Sequence, residues 1–305
     1  MNIKSNKLFK PIISTIRFFG RKYPELLVKI RYFIRFKKKL KLNNPKTLNE
    51  KILFLSLRTD TSKWTKLADK FKVRSYIKEC GLSETLVNCY GYWDNISELD
   101  FNSLPEKFVL KSVHGSGDII IVNDKKLINK EDVYKKLQEA INTIYGDLEG
   151  GKHYMRIKPA IIAEELLIND KESLKHSTSI IDYKIWCFNG KAYYIWTCCN
   201  RDKNGTDVMT YDLSWNAHPE YSIFTNHYRR GEILPKPRNF NKMIEIAETL
   251  AKPFPVVRVD LYNIEGKIYF GEMTFTSLGG LMDFYTDDFQ NLTGNLIDLN
   301  YNKKQ

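Results

Sequence analysis

The stretch from Arg258 to Thr274 constrains this chain more than any other. It reads Arg258-Val259-Asp260-Leu261-Tyr262, a turn over 263–266, then Lys267-Ile268-Tyr269-Phe270-Gly271-Glu272-Met273-Thr274. Alternation of polar and apolar residues on both sides of an Asn/Gly turn predicts a β-hairpin. Side chains alternate faces along a strand, so Arg258, Asp260 and Tyr262 share one face, and Glu272 shares one with Thr274. Folding about the turn brings Asp260 and Glu272 onto neighbouring positions of the same face. Two carboxylates meeting inside a sheet repel and are costly to bury. A hard cation such as Mg²⁺, which takes oxygen ligands and shares them with phosphates, relieves that cost. The alternative is that both acids face solvent or pair with Arg258 and Lys267.

A second constellation is Lys111-Ser112-Val113-His114-Gly115-Ser116-Gly117, which follows the apolar run Phe108-Val109-Leu110. Glycines in a tight turn let backbone N–H groups approach phosphate oxygens, and a lysine at a strand end supplies a point charge. A plain hairpin turn has the same composition. The segment is not a GxxxxGK[ST] phosphate loop. It is not a protein-kinase arrangement either, because the glycines follow the lysine and no HRD motif occurs. A third segment, Glu164-Glu165-Leu166-Leu167, closes the strand Ile161–Ala163. Such an edge offers backbone groups and an apolar side chain to a flat ring, or is simply a strand end with solvated acids.

The net charge of +12 is segregated. Thirteen of the 48 Lys and Arg residues but only one of the 36 acids, Glu25, fall within residues 1–41, which leaves 35 of each sign elsewhere. The body is neutral, so a nucleic-acid partner is not expected. Within the basic segment Leu8, Ile12, Ile16, Phe19, Tyr23, Leu26, Ile30 and Phe33 recur at helical spacing. Lys7, Lys10 and Arg17 interrupt the first apolar patches, so no signal peptide is expected. An apolar stripe flanked by Lys and Arg suits a helix lying on an anionic membrane surface, or one docked on the body with a solvated basic face. No run of about 18 apolar residues occurs to span a bilayer. The cysteines, at 80, 89, 187, 198 and 199, form no CxxC pair, as expected of reduced thiols in a cytoplasmic protein, peripheral at most on the inner membrane face.

Elsewhere the pattern predicts helices over 49–76, 130–145 and 242–251, and strands at 108–111, 119–122, 161–167, 182–188, 192–197, 256–262 and 267–273. Asn189-Gly190 marks another hairpin. Strands arriving in hairpins with helices between the pairs imply an α+β fold rather than a parallel βαβ wheel.

Taken in order, these segments resemble the ATP-grasp enzymes, and from Asn44 to about Asp298 the chain is similar to the TupA-like ATP-grasp family of teichuronopeptide and capsular polysaccharide synthesis. The resemblance is carried by Asn44–Lys51, Ala68–Arg74, Phe108–Gly117, Ala163–Glu165, Asp182–Lys184, Cys187–Lys191, Arg258–Asp260 and Phe270–Thr276. It implies two α+β lobes gripping ATP behind the basic amphipathic helical segment, divided as 1–41, a helical pre-grasp region 42–105, a small lobe 106–168 and a large lobe 169–305. It further implies that Lys70 and Lys111 hold phosphates under a flap of His114, Gly115, Ser116 and Gly117. Glu164, Glu165 and Leu167 would form the adenine–ribose hinge. Asp260 and Glu272 would hold Mg²⁺, Lys184 would help grip phosphate, and Arg258 would face the transferring phosphoryl group. Many relatives carry Asn two residues after the second acid; Thr274 stands there, a poorer metal ligand. The reaction implied is ATP-dependent carboxylate–amine ligation through an acyl phosphate, on small-molecule or glycan-linked substrates. A capsular glycosyltransferase is the main rival, although no D-x-D motif occurs; an ATP-dependent sugar kinase on the same fold is another.

Overall fold

The computed structural model describes residues 10–301. Its elements are helices α1 (Lys10–Lys22), α2 (Pro24–Phe36), α3 (Leu48–Arg58), α4 (Ser62–Ala68) and α5 (Val73–Glu79), then strands β1 (Cys89–Trp93), β2 (Phe108–Ser112) and β3 (Ile119–Val122). Helices α6 (Lys130–Ile141) and α7 (Lys152–Met155) lead to β4 (Ile161–Glu164), β5 (Asp182–Phe188), β6 (Lys191–Cys199), β7 (Thr206–Asp212) and β8 (Tyr228–Arg230). The chain ends with α8 (Phe240–Ala251), β9 (Val256–Ile264), β10 (Lys267–Thr274) and α9 (Asp287–Leu296).

Two sheets result. The smaller runs β1-β4-β2-β3 and the larger β10-β9-β5-β6-β7-β8, antiparallel except where β7 meets β8. This is an α+β architecture. Strand β5 is buried along its whole length, which is why Asp182–Phe188 alternates less than an exposed strand would. Helix α8 buries Met243, Ile246, Ala247 and Leu250 in the core under this sheet.

The region 42–105 departs from its expected helical character. Cys89–Trp93 forms an edge strand that pairs with β4, so the small sheet begins well before residue 106. The helical part of the region is not a separate layer, because Leu48, Ile52, Trp64, Val73 and Ile77 join the core of the large sheet. The single helix expected over 49–76 is broken into three. Asp60 accepts from the N–H of Ser62, and Asp69 accepts from those of Phe71 and Lys72, so short acidic side chains cap new turns where a continuous helix would need plain backbone pairing. Helix α3 opens with a reciprocal cap in which Thr47 accepts from the Glu50 N–H and the Glu50 carboxylate accepts from the Thr47 N–H. In the same first turn, buried Asn49 donates to the Met282 carbonyl and accepts from the Met282 N–H, which ties α3 to the chain just beyond β10.

The basic segment is helical, and Pro24 starts α2 as its fixed φ favours. Leu8, Lys7 and the side chain of Lys10 lie outside the described residues. Helix α2 docks on the body through Leu27, Val28 and Tyr32, which pack with Leu42, Leu53, Leu57 and Leu281. That is not the expected stripe: Ile12, Tyr23, Leu26, Ile30 and Phe33 remain exposed, along with Phe18 and Ile34. Two apolar faces exist: the expected stripe is largely exposed, and a second face, which helical spacing did not single out, is the one that docks.

Candidate active site

The hairpin sets the site. Asp260 and Glu272 are register partners across β9 and β10, with a bulge at Gly271 that lets the acids come abreast. On the other side of β9, Asp260 faces Lys184 of β5, and Tyr262 faces Asp182. The strand alternation that places Asp260 inward therefore places Asp182 and Lys184 there too.

These groups form one buried charge network. Lys184 Nζ lies 2.6 Å from Asp260 Oδ2 and 2.6 Å from Asp182 Oδ2. Arg258 grips Asp260 with Nε to Oδ1 at 2.7 Å and Nη2 to Oδ2 at 2.8 Å, a two-pronged pairing that guanidinium geometry favours. Arg258 also donates to Ser277 Oγ at 2.7 Å and to Thr274 Oγ1 at 3.1 Å. Burial alone would raise the Asp260 pKa, but the charges of Arg258 and Lys184 overcome it and hold the carboxyl below its ordinary range. Asp182 goes the other way: burial raises it, and Lys184 and Arg201 offset only part of that. Its Oδ1 is buried without a hydrogen-bond partner among the described residues. Glu272 is the open acid, its side chain 43% exposed, with Arg258 Nη2 at 3.6 Å and Thr274 Oγ1 donating at 3.2 Å.

Facing this network across a cleft of about 470 Å³ are Lys70, Lys111 and the turn Gly115–Gly117. Lys111 sits inside β2 and pairs with Glu164 of β4 at 2.5 Å; Arg74 approaches the same carboxylate at 3.4 Å. Lys70 Nζ donates to the Gly115 carbonyl, tying the turn to the segment between α4 and α5. Burial lowers the Lys70 pKa, and the Glu272 charge opposes the drop. Gly115 is needed for space, since a Cβ there would lie 2.6 Å from Asp118 Oδ2 and 2.7 Å from Ser112 Oγ.

His114 does not belong to the flap. Its ring is buried and its Nε2 lies 3.1 Å from the carbonyls of Ala140 and Thr143 at the end of α6; it does not line the cleft. Alternation explains the error, because the side chain between Val113 and Gly115 turns away from its glycine neighbours and closes the α6 terminus. Glu164, Glu165 and Leu167 also lie outside the cleft lining. Glu164 is taken by Lys111, and Glu165 accepts from Asn88 at 2.7 Å. Thr274 bridges Arg258 and Glu272, so its hydroxyl is already engaged.

Mg²⁺ suits the donor set. It binds through one or two carboxylates together with phosphate oxygens, and here Glu272 is accessible while Asp260 stands beside it. Among the described residues no group of three or more His, Cys, Asp or Glu is placed to hold a metal, so phosphate oxygens and water would complete the shell.

A family model for the TupA-like ATPgrasp proteins matches residues 50–298. The chain belongs to that family. No curated protein matches the sequence. Among solved structures, this TupA-like protein is similar to the D-alanine–D-alanine ligase of Bacillus anthracis complexed with ATP, at 12% identity and a TM-score of 0.41, covering 75% of this chain and 62% of that one. The corresponding Helicobacter pylori ligase gives 13% and 0.42, covering 83% and 66%. Biotin carboxylase from Campylobacter jejuni, complexed with β,γ-ATP, gives 13% and 0.40, covering 71% and 42%. The TupA-like chain spans less than two thirds of the length of each of these.

Two cleft residues extend the expected set. Asp182 is two positions before Lys184 on the same strand face, a signal the alternation already carried. Arg201, 3.5 Å from Asp182, follows β6 in a loop that no pattern marks.

Proposed function

We propose that the protein is a Mg-ATP-dependent carboxylate–amine ligase that works through an acyl phosphate. The observation carrying this reading is the buried Asp182–Lys184–Asp260–Arg258 network, with Glu272 at its mouth, set opposite Lys70 and Lys111. Such an arrangement combines a metal-competent acid pair with cations for phosphate on both walls of one cleft. Family membership supports it.

In this reading Lys70 and Lys111 hold phosphate oxygens, with the backbone of Gly115–Gly117 closing over them. Asp260 and Glu272 would hold Mg²⁺, which supplies charge neutralisation at the phosphoryl oxygens. Arg258 and Lys184, held at the cleft by their ion pairs with Asp260, would turn cationic groups to the transferring phosphoryl group once that carboxylate is taken by the metal. A substrate carboxylate oxygen attacks the γ-phosphorus, the bond from phosphorus to the β,γ-bridging oxygen breaks, and ADP leaves. The nitrogen of a neutral amine then attacks the acyl carbon, phosphate departs with the bonding pair, and the amine proton passes to solvent or a nearby carboxylate. Glu164, Glu165 and Leu167 would border the adenine side of the cleft.

The acceptor favoured is a carboxylate of a cell-surface or capsular glycan or its precursor. The exposed apolar face of α1 and α2, with Lys22 exposed at the end of α1 and Lys37 and Lys39 exposed just after α2, would hold the enzyme on an anionic membrane surface where lipid-linked acceptors reside. Among the described residues no helix is long and apolar enough to cross a membrane.

The direct test is calorimetry with Mg-ATP and with UDP-sugars on the wild type and Glu272→Gln, followed by product analysis. Mg-ATP binding that weakens in the variant, with ADP and an amide as products, supports the reading. ADP with a phosphosugar would make the protein a kinase. A UDP-sugar bound in preference to ATP would return the case to a glycosyltransferase.

A further inference from the structure

Where α1 and α2 meet α7, a hollow of about 460 Å³ opens that shares no lining residue with the cleft. Four cations surround it. Arg21 and Lys22 stand at the end of α1, while Lys152 opens α7 and Arg156 closes it. Pro24, Ile144 and Met155 supply the apolar part of the wall, and no acid among the described residues lines it. Asp147, behind Arg21 at 4.0 Å, is buried and shared with Arg17 at 3.8 Å. Lys152 makes only a long bond, 3.4 Å, to the Leu57 carbonyl. Asp60 is close enough to feel the charge of Arg156 but does not pair with it. Lys22 and Arg156 make neither a hydrogen bond nor an ion pair among the described residues.

The two walls are locked together by close backbone approach. A Cβ at Gly20 would lie 1.6 Å from the Asp147 carbonyl oxygen, and one at Gly150 would lie 2.9 Å from Val28 and 3.0 Å from the Pro24 carbonyl oxygen. Arg31 adds a 2.6 Å bond from Nη1 to the Leu148 carbonyl. Helices α1 and α2 therefore bear directly on the segment that runs into α7, which fixes the spacing of the four cations. Like charges held side by side without a counter-charge repel, and Lys and Arg donors match phosphate oxygens. At the rim, Tyr23 stands between the lining residues Lys22 and Pro24; it is 55% exposed, and its ring centre lies 6.4 Å from that of Phe18, which is also exposed. A basic hollow bordered by exposed aromatic rings suits the polar boundary of a bilayer, where phosphates meet the first methylenes and aromatic side chains concentrate.

We propose that this hollow binds the phosphate headgroup of an anionic membrane lipid, with Tyr23 and Phe18 entering the bilayer interface beside it. The proposal rests on the membrane reading above and adds a defined site to it. Half of the cations come from α7, which belongs to the body of the protein rather than to the amphipathic segment. A nucleic-acid phosphate would meet the same charges but would leave the aromatic rim in water, so the lipid is the occupant that both features fit.

The test floats the full chain with phosphatidylcholine vesicles made with and without phosphatidylglycerol. Binding should require phosphatidylglycerol. Arg156→Gln should weaken it about fivefold, the weight of one cation near an anionic surface, and Lys152→Gln combined with Arg156→Gln roughly thirtyfold. The charge-matched pair Lys135→Gln and Lys136→Gln, exposed on α6, should change it by less than about twofold. Arg156→Gln breaks no hydrogen bond or ion pair in the protein, so its Tm should hold and the result does not turn on folding. If both pairs weaken flotation equally, the chain responds to total charge and the hollow is no site. If neither does while the wild type floats, the proposal is overturned and the membrane reading stands. Equal binding to vesicles without phosphatidylglycerol overturns the headgroup assignment. Calorimetric binding of inorganic phosphate that Arg156→Gln abolishes, with flotation unchanged, would give the hollow to a soluble phosphate instead. A wild type that does not float at all overturns the membrane reading and this proposal together.

Discussion

Lys184→Met removes the cation that, alone among the described residues, touches both Asp182 and Asp260, and its cost can be worked from the geometry. The lysine nitrogen lies 2.6 Å from each carboxylate, and Asp182 and Asp260 are 6% and 1% exposed. Asp260 retains Arg258. Asp182 retains only Arg201, at 3.5 Å and half exposed. Breaking a buried ion pair by deleting one partner costs about 3–5 kcal/mol, and methionine fills the volume, so roughly 3 kcal/mol is expected at pH 7, or about 6 °C in Tm for a chain of this size. The pH dependence has a definite sign. Asp260 has a depressed folded pKa, so its stabilising contribution is present above its unfolded pKa and is lost as pH falls through the folded value. Asp182 has a raised folded pKa, so its charged form destabilises increasingly as pH rises through that value. The variant weakens the first effect and strengthens the second, and both act only when the acids are ionised. The deficit should therefore be largest near neutrality and shrink steadily below the ordinary aspartate range. Urea unfolding from pH 3.5 to 7.5 measures it. A loss under about 1 kcal/mol at pH 7, or a deficit that does not change with acid, would refute the assignment of Lys184 as the shared counter-charge. Adding Asp182→Asn to the variant should recover a large part of the loss, because the uncompensated carboxylate is gone.

Glu272→Gln should leave the urea midpoint nearly unchanged, since the side chain is 43% exposed, yet weaken Mg-ATP binding at least tenfold by calorimetry; an unaltered affinity would remove Glu272 from the metal site. His114→Ala should do the reverse, costing about 2 kcal/mol in stability through the volume left empty and the Thr143 carbonyl deprived of its donor, while Mg-ATP affinity holds within about twofold. Replacing Leu26, Ile30 and Phe33 together by serine should abolish flotation with anionic liposomes without lowering Tm, because all three are exposed; flotation that persists would separate the helices from the membrane.

The large-sheet hairpins were legible because their alternation and their Asn-Gly or Asn-to-Gly turns are local. The register that sets Asp260 beside Glu272 follows from turn length, and the bulge at Gly271 corrects it by one residue. Strand β8 has three residues and pairs in parallel with β7, so its existence depends on a neighbour that no local pattern supplies. Strand β1 was missed for a related reason: Cys89-Tyr90-Gly91-Tyr92-Trp93 has no clean alternation, and its register with β4 shifts at Gly91. The face of α2 that docks was not legible because Leu27, Val28 and Tyr32 and the outer Leu26, Ile30 and Phe33 are equally apolar; only the position of the body decides between them. His114 was misplaced because a histidine beside two glycines looks like a phosphate contact, whereas its ring caps a helix that lies 26 residues ahead in the chain.

Charge balance in the cleft bears on the order of binding. Five Lys or Arg and five Asp or Glu line it. A lining that is neutral as it stands has no surplus of positive charge with which to hold a bare nucleotide polyphosphate, whose own charge the two or three cations nearest the phosphates would have to meet while remaining tied to acids. Asp260 illustrates the constraint, because both of its oxygens are taken by Arg258 and Lys184. If Asp260 and Glu272 hold a divalent cation, as proposed, that balance would change: Arg258 and Lys184 would be freed from Asp260 and available to phosphate. The acids and bases would exchange partners rather than gain new ones, which would keep the buried network paired in both states and avoid the penalty of an isolated charge. In such an exchange Glu272, open at the mouth, would be met before Asp260, which is sealed behind it. An exposed acid can capture the incoming cation before the buried one gives up its partners.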